Sequence, residues 1–151
     1  MSRRNSLAIM ALTLSLIGLT SQSYAAERAG TFKVVNGSVS IERNGATQNA
    51  EVGDAVLEGD TVITAESSFA GITLRDNTRL TSGPGSTLVI DDFAFDTTTH
   101  KGRLSANLKR GKLAVISGKL AKSNPESVQF NTGSMTVGVR GTEFILEAAG
   151  E

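Results

Sequence analysis

The sequence predicts an all-β fold, and three observations carry that prediction. Beyond residue 25 no stretch keeps apolar residues at i, i+3, i+4 and i+7 through three turns, as a core-facing helix requires. Short runs rich in Val, Ile, Thr and Phe recur instead, about 8–12 residues apart. Glycines, or Asn and Asp pairs, separate them, and 15 of the 16 glycines lie after residue 25. About ten to twelve brief strands at that spacing point to a β-sandwich, a jelly roll or a short β-solenoid.

Thr31–Val35 opens the series and Asn36-Gly37 breaks it. Ser38–Glu42 then alternates, with Val39 and Ile41 on one face. Asn44-Gly45 is a strong hairpin turn, because both central residues of such a turn need positive φ. Gly53-Asp54 and Gly59-Asp60 bracket Ala55–Leu57, and Thr61–Thr64 follows. In Ser68–Leu74 the residues Ala70, Ile72 and Leu74 face inward. Asp76-Asn77 turns into Thr78–Leu80, and Gly83-Pro84-Gly85 turns into Thr87–Ile90. Phe93 and Phe95 alternate before a polar hairpin tip at residues 97–102. Leu104, Ala106 and Leu108 form one face of a strand ending at Arg110-Gly111, and Leu113, Val115 and Ile116 make the next. Lys119–Glu126 is irregular, and the chain closes with Val128–Phe130, Met135–Val137 and Glu143–Leu146.

The N-terminus has another character. Arg3 and Arg4 precede an apolar run from Leu7 to Leu19, and the small residues Ser23 and Ala25 follow. A basic start, a short apolar core and small residues at a cleavage site describe a secretory signal peptide. It is expected to span residues 1–25, with the cut after Ala25, or else after Ala26. The run is too short for a spanning helix of about 20 apolar residues. Residues 26–151 are then a single all-β domain in the periplasm, with no stable membrane span. Taking 25 residues from 151 leaves 126, enough for one core. The mature chain has 13 basic and 15 acidic residues, about −2, so nucleic acid is a poor partner. With no cysteine, the fold rests on packing alone.

Few residues suggest chemistry. His100 is the only histidine and stands in a polar turn, so a triad or zinc site lacks partners. Asp91, Asp92 and Asp96 miss the spacing and closing Glu of a calcium loop. No phosphate-binding glycine loop ends in Lys-Ser or Lys-Thr, so neither metal nor cofactor is expected. One constellation is more specific. Gly138, Arg140, Gly141, Thr142 and Phe144 fall at a strand junction, where glycines allow a sharp turn and an arginine fork can tie carbonyls together. The reading that follows is a fold-closing corner. A second reading is self-cleavage between Gly141 and Thr142, in which the Thr142 hydroxyl attacks the preceding carbonyl and water cleaves the ester.

These residues carry a resemblance. Gly59-Asp60, Thr64, Ser68 and Ala70 come in order, and Asp76-Asn77-Thr78 stands where an Asp-Gly-Ser is usual. Pro84 and Ser86 precede Leu88–Ile90, and Leu108–Leu113 matches a Leu-x-x-Gly-x-Leu segment. Val139–Phe144 closes the pattern. The chain resembles the FecR domain family over a core of about residues 59–147. That resemblance implies an all-β periplasmic domain in envelope signalling or protein contacts. Family regulators add a cytoplasmic segment that holds a sigma factor and one membrane helix, and here a signal peptide stands in place of both. The expectation is a free-standing, non-enzymatic binding module whose partner is an envelope protein. The alternatives are the self-cleaving domain or a structural subunit of an envelope assembly.

Overall fold

A computed structural model describes residues 26–141 and 143–150. The expected signal peptide, residues 1–25, lies outside the described residues, as does Thr142. Among the described residues twelve strands run in chain order: β1 (Arg28–Asn36), β2 (Val39–Arg43), β3 (Ala46–Asn49), β4 (Ala55–Leu57), β5 (Thr61–Thr64) and β6 (Phe69–Leu74). Then come β7 (Arg79–Ser82), β8 (Ser86–Phe95), β9 (Gly102–Ile116), β10 (Val128–Thr132), β11 (Thr136–Gly138) and β12 (Glu143–Ala148). The irregular segment contains a five-residue helix α1 (Lys119–Ser123) and a single 3-10 turn at Pro125–Ser127.

The strands form one curled sheet that folds over its own core. Its first half runs β4-β1-β6-β7-β9-β12, entirely antiparallel. Its second half runs β3-β2-β5-β8-β9-β10-β11, antiparallel except for the β9–β10 pair. The fold is all-β as expected, and its predominantly antiparallel pairing belongs to a sandwich-like arrangement rather than a solenoid.

Strand β9 serves both halves because it bends. Residues 102–110 pair with β8, and residues 111–116 pair with β7 and β12. The sequence places a strand end at Gly111, whereas the strand passes through it. Gly111 has φ +92, and a Cβ there would stand 2.2 Å from Ser86 Oγ and 2.6 Å from Ser86 Cα. Ser86 Oγ accepts the Lys112 N–H at 3.0 Å and lies 3.2 Å from the Lys112 carbonyl, to which it donates. The chain crosses between the halves at Gly83-Pro84-Gly85, beside this bend, and the Gly83 N–H donates to the Lys112 carbonyl at 2.9 Å. Positive φ and the missing Cβ at Gly111, with the Ser86 hydroxyl bridging the Lys112 N–H and carbonyl, therefore set the fold's corner.

A single buried cluster fills the interior. Phe32, Ile72, Leu74, Leu80 and Val115 from the first half meet Ile41, Val62, Leu88, Ile90 and Phe93 from the second. The alternation read from sequence holds, since Ala70, Ile72 and Leu74 are buried along β6 and Leu104, Ala106 and Leu108 along β9. Strand β3 went unread because all four of its residues are exposed and carry no alternating signal.

Candidate functional site

Six polar residues of the sequence motif lie inside the protein, whereas Asn77, Lys109, Arg110, Lys112, Arg140 and Glu143 are exposed. Asp60, Thr64, Ser68, Asp76, Thr78 and Ser86 are all buried. A buried polar group costs stability unless hydrogen-bonded, and five of these six hold a backbone or charged partner. Asp60 sits after Gly59, whose φ is +86, at the start of β5. Its Oδ1 accepts from Arg43 Nε at 2.7 Å, and its Oδ2 accepts from Arg43 Nη2 at 2.7 Å and from the Leu57 N–H at 2.8 Å. Arg43 Nη2 also donates to the Ala55 carbonyl at 3.0 Å. This bidentate fork ties β2, β4 and β5 together, and the Asp60 carboxylate holds the Arg43 guanidinium pKa above its ordinary value, against the opposing effect of burial.

Asp76 and Thr78 make the second tie. Asn77 between them has φ +68, a conformation that asparagine tolerates and glycine favours. Asp76 Oδ1 accepts the Thr78 N–H at 3.0 Å, and Oδ2 accepts the Thr78 hydroxyl at 2.7 Å and the Leu120 N–H at 3.3 Å. Thr78 Oγ1 accepts the Gly118 N–H at 3.1 Å, and the Asp76 carbonyl accepts the Lys119 N–H at 2.7 Å. The turn thus seats the entry to α1. Gly118 is required there by close approach, since a Cβ would lie 2.3 Å from both the Asp76 carbonyl oxygen and the Thr78 nitrogen. Ser68 completes the set by accepting the Ser38 N–H at 2.9 Å, and Thr64 donates to Ser82 Oγ at 3.1 Å.

The residues singled out from sequence as a closing corner are placed differently. Gly138 ends β11, Gly141 stands in the bend before β12, and Phe144 lies on β12. Val139 is buried, whereas Arg140 is exposed and makes no side-chain hydrogen bond or ion pair among the described residues. Neither Gly138 nor Gly141 is among the glycines with positive φ, and a Cβ on either would meet nothing within 4 Å. The anchors are apolar instead: Phe144 meets Phe130 edge-on, ring centroids 5.4 Å apart, across the two halves of the sheet. Pro125, Glu126, Gly138, Val139 and Arg140 line a shallow groove of about 360 Å³.

The remaining candidates serve turns. His100 has φ +58 and stacks on Phe95 at 6.0 Å. Asp96 accepts the Thr98 and Thr99 N–H groups at 2.8 and 2.9 Å, and those bonds, Thr99's first, hold its carboxyl below the usual range. Asp92 pairs with Arg103, and Asp91 is exposed. Among the described residues no group of three or more His, Cys, Asp or Glu side chains could hold a metal ion. No helix there is long and apolar enough to cross a membrane.

The exterior holds a feature that sequence reasoning missed. Val34, Gly71, Thr81, Ala114 and Ile145 stand directly opposite one another across β1, β6, β7, β9 and β12. They form one row on the outer face of the first half-sheet. Phe69 and Ile116, two residues along from Gly71 and Ala114, share that face. Four of the six exposed large hydrophobic residues among the described residues therefore share this face, as two diagonal pairs, Val34 with Phe69 and Ile116 with Ile145, on either side of β7, and Ile145 is 71% exposed. The signal was in the run Phe144-Ile145-Leu146, which has apolar residues at both parities where a half-solvated strand should alternate.

Comparison with known proteins accords with this motif. No curated protein matches the chain. A solved structure described as a cell surface anchoring domain is similar at 29% identity, with a TM-score of 0.39, covering 40% of this chain and 82% of its own. The family described as FecR protein matches residues 60–151, beginning at the buried aspartate that anchors Arg43. The chain belongs to the FecR family.

Proposed function

We propose that this protein is a non-enzymatic interaction module of the periplasm, acting through the outer face of its first half-sheet on another envelope protein. The observation that carries this reading is a division of labour. The motif's buried polar side chains are engaged in hydrogen bonds that build the fold, while exposed large apolar side chains gather on one sheet face. Contiguous exposed apolar surface marks protein contacts, and this face offers it at two places, Val34 with Phe69 and Ile116 with Ile145. Membership of the FecR family and the signal-peptide pattern at residues 1–25 support the envelope location. Crosslinking in living cells, followed by mass spectrometry, tests it. A reproducible envelope neighbour joined through the first half-sheet supports the module. No neighbour above background, with no thermal stabilisation by envelope extract, counts against it, because a bound partner raises the melting temperature by mass action.

The exposed position of Gly141 favours a second reading, self-cleavage at Gly141-Thr142. Attack of the Thr142 hydroxyl on the Gly141 carbonyl would form an ester and free the Thr142 amine, and water would then release a Gly141 carboxylate. The C-terminal piece would stay in place, because β12 pairs with β9 from Glu143 to Ala148 and buries Leu146.

A further inference from the structure

We infer that the free edge of β12 receives a β-strand from the partner protein, and that this strand carries a valine or isoleucine flanked, two residues away on each side, by lysine or arginine. The inference rests on the interaction-module reading and gives it a surface and a partner chemistry. Among the described residues β12 pairs with β9 alone. Its other side therefore offers unpaired N–H and C=O groups, which template strand addition. Residue choice on the outer face specifies what can be added. The row of Val34, Gly71, Thr81, Ala114 and Ile145 ends at this edge. A β-branched residue beside Ile145 would continue it and cover its most exposed member.

Charge selects the flanks. Glu143 and Glu147 stand two residues to either side of Ile145 on the same face. Glu147 lies 3.6 Å from Lys112, and Glu143 has no ion pair among the described residues. In fully overlapped antiparallel pairing, a second copy of this chain would set Glu143 of each copy against Glu147 of the other. Parallel pairing would set each glutamate against itself. Like charges directly opposite destabilise a pair, so the edge discourages self-association and favours a basic strand.

The test uses the full mature protein and a nine-residue synthetic peptide. Its central valine stands between two lysines, each two residues away, with threonine elsewhere. Titration to about 1 mM, followed by NMR, detects even weak addition. Slowed amide exchange along Glu143–Ala148 is expected, with at least tenfold weaker binding when glutamates replace the lysines at low salt. The paired substitutions Glu143→Lys and Glu147→Lys should reverse that preference. Two further peptides, N-methylated at odd or at even positions, isolate the backbone ladder, which uses every second amide on one side. One should bind and the other should not. Equal binding by both, or no response to the lysine peptide, overturns the inference. If crosslinking in cells still finds an envelope neighbour through other residues, the module reading stands without this edge. If it finds none, that reading falls as well.

Discussion

Replacing Asp60 by asparagine tests whether the buried fork at the start of the family motif holds the fold. The substitution keeps the side-chain shape and removes its charge. Three donors converge on two carboxylate oxygens: Arg43 Nε on Oδ1, and Arg43 Nη2 with the Leu57 N–H on Oδ2. An amide supplies one oxygen. Its best orientation keeps the two contacts at the Oδ2 position and turns its NH2 toward Arg43 Nε, donor against donor. A lost hydrogen bond to a charged group costs about 1.5–3 kcal/mol. Removing one partner of a buried pair costs about 3–5 kcal/mol. Asp60 is fully buried, but the Arg43 side chain is 30% exposed, so water compensates part of the loss. About 2–3 kcal/mol is the expected cost, or roughly 6–15 °C in Tm for a domain of this size. Urea unfolding should show a lower midpoint at unchanged slope. Adding Arg43→Met to Asp60→Ala should cost less than the sum of the single changes, since no uncompensated cation then remains. A loss under about 0.5 kcal/mol for Asp60→Asn, with additive behaviour in the cycle, would mean that the fork does not hold the fold.

Further outcomes follow from the same geometry. Gly118→Ala should destabilise by about 2 kcal/mol or more in urea unfolding, because the added methyl meets backbone atoms of Asp76 and Thr78 that cannot yield cheaply. The hairpin tip should loosen in acid. The folded Asp96 pKa lies below its unfolded value, so its stabilisation is complete above about pH 3.9 and fades as pH falls through the lower, folded value. Faster exchange of the Thr98 and Thr99 amides in that window is the readout, and Asp96→Ala should show it already at neutral pH. Intact mass of the mature protein under denaturing conditions tests the second functional reading. A break between Gly141 and Thr142 supports self-cleavage, and a single full-length species removes it.

The strands were legible wherever one face is buried and the other wet, as in β6, whose inward residues Ala70, Ile72 and Leu74 read directly from alternation. Asn44-Gly45 likewise announced its hairpin, with φ +52 and +77. Three kinds of information were not local. The exposure of every β3 residue erased its period. The continuity of β9 through Gly111 depends on Ser86, 25 residues earlier, which fills the space a Cβ at Gly111 would need and holds Lys112 through its hydroxyl. The partnership of Arg43 with Asp60 spans 17 residues and arises only when β2 and β5 become neighbours. The candidate site was legible in part. Sequence reading found the motif residues but gave the corner to Arg140, whereas Asp76, Thr78 and Gly118 make one such tie and Ser86 with Lys112 makes another. Arg140 misleads because an arginine between glycines looks the same whether its fork turns inward or into solvent.

The central claim is that the buried polar residues of the family motif build the interior while one outer face does the protein's work. A photo-crosslinking residue placed at Thr81, within the outer row, and another at Thr47, on the exposed edge strand β3, test it most directly in living cells. Thr81 should trap a discrete envelope protein and Thr47 none. Capture from Thr47 but not from Thr81 would contradict the claim.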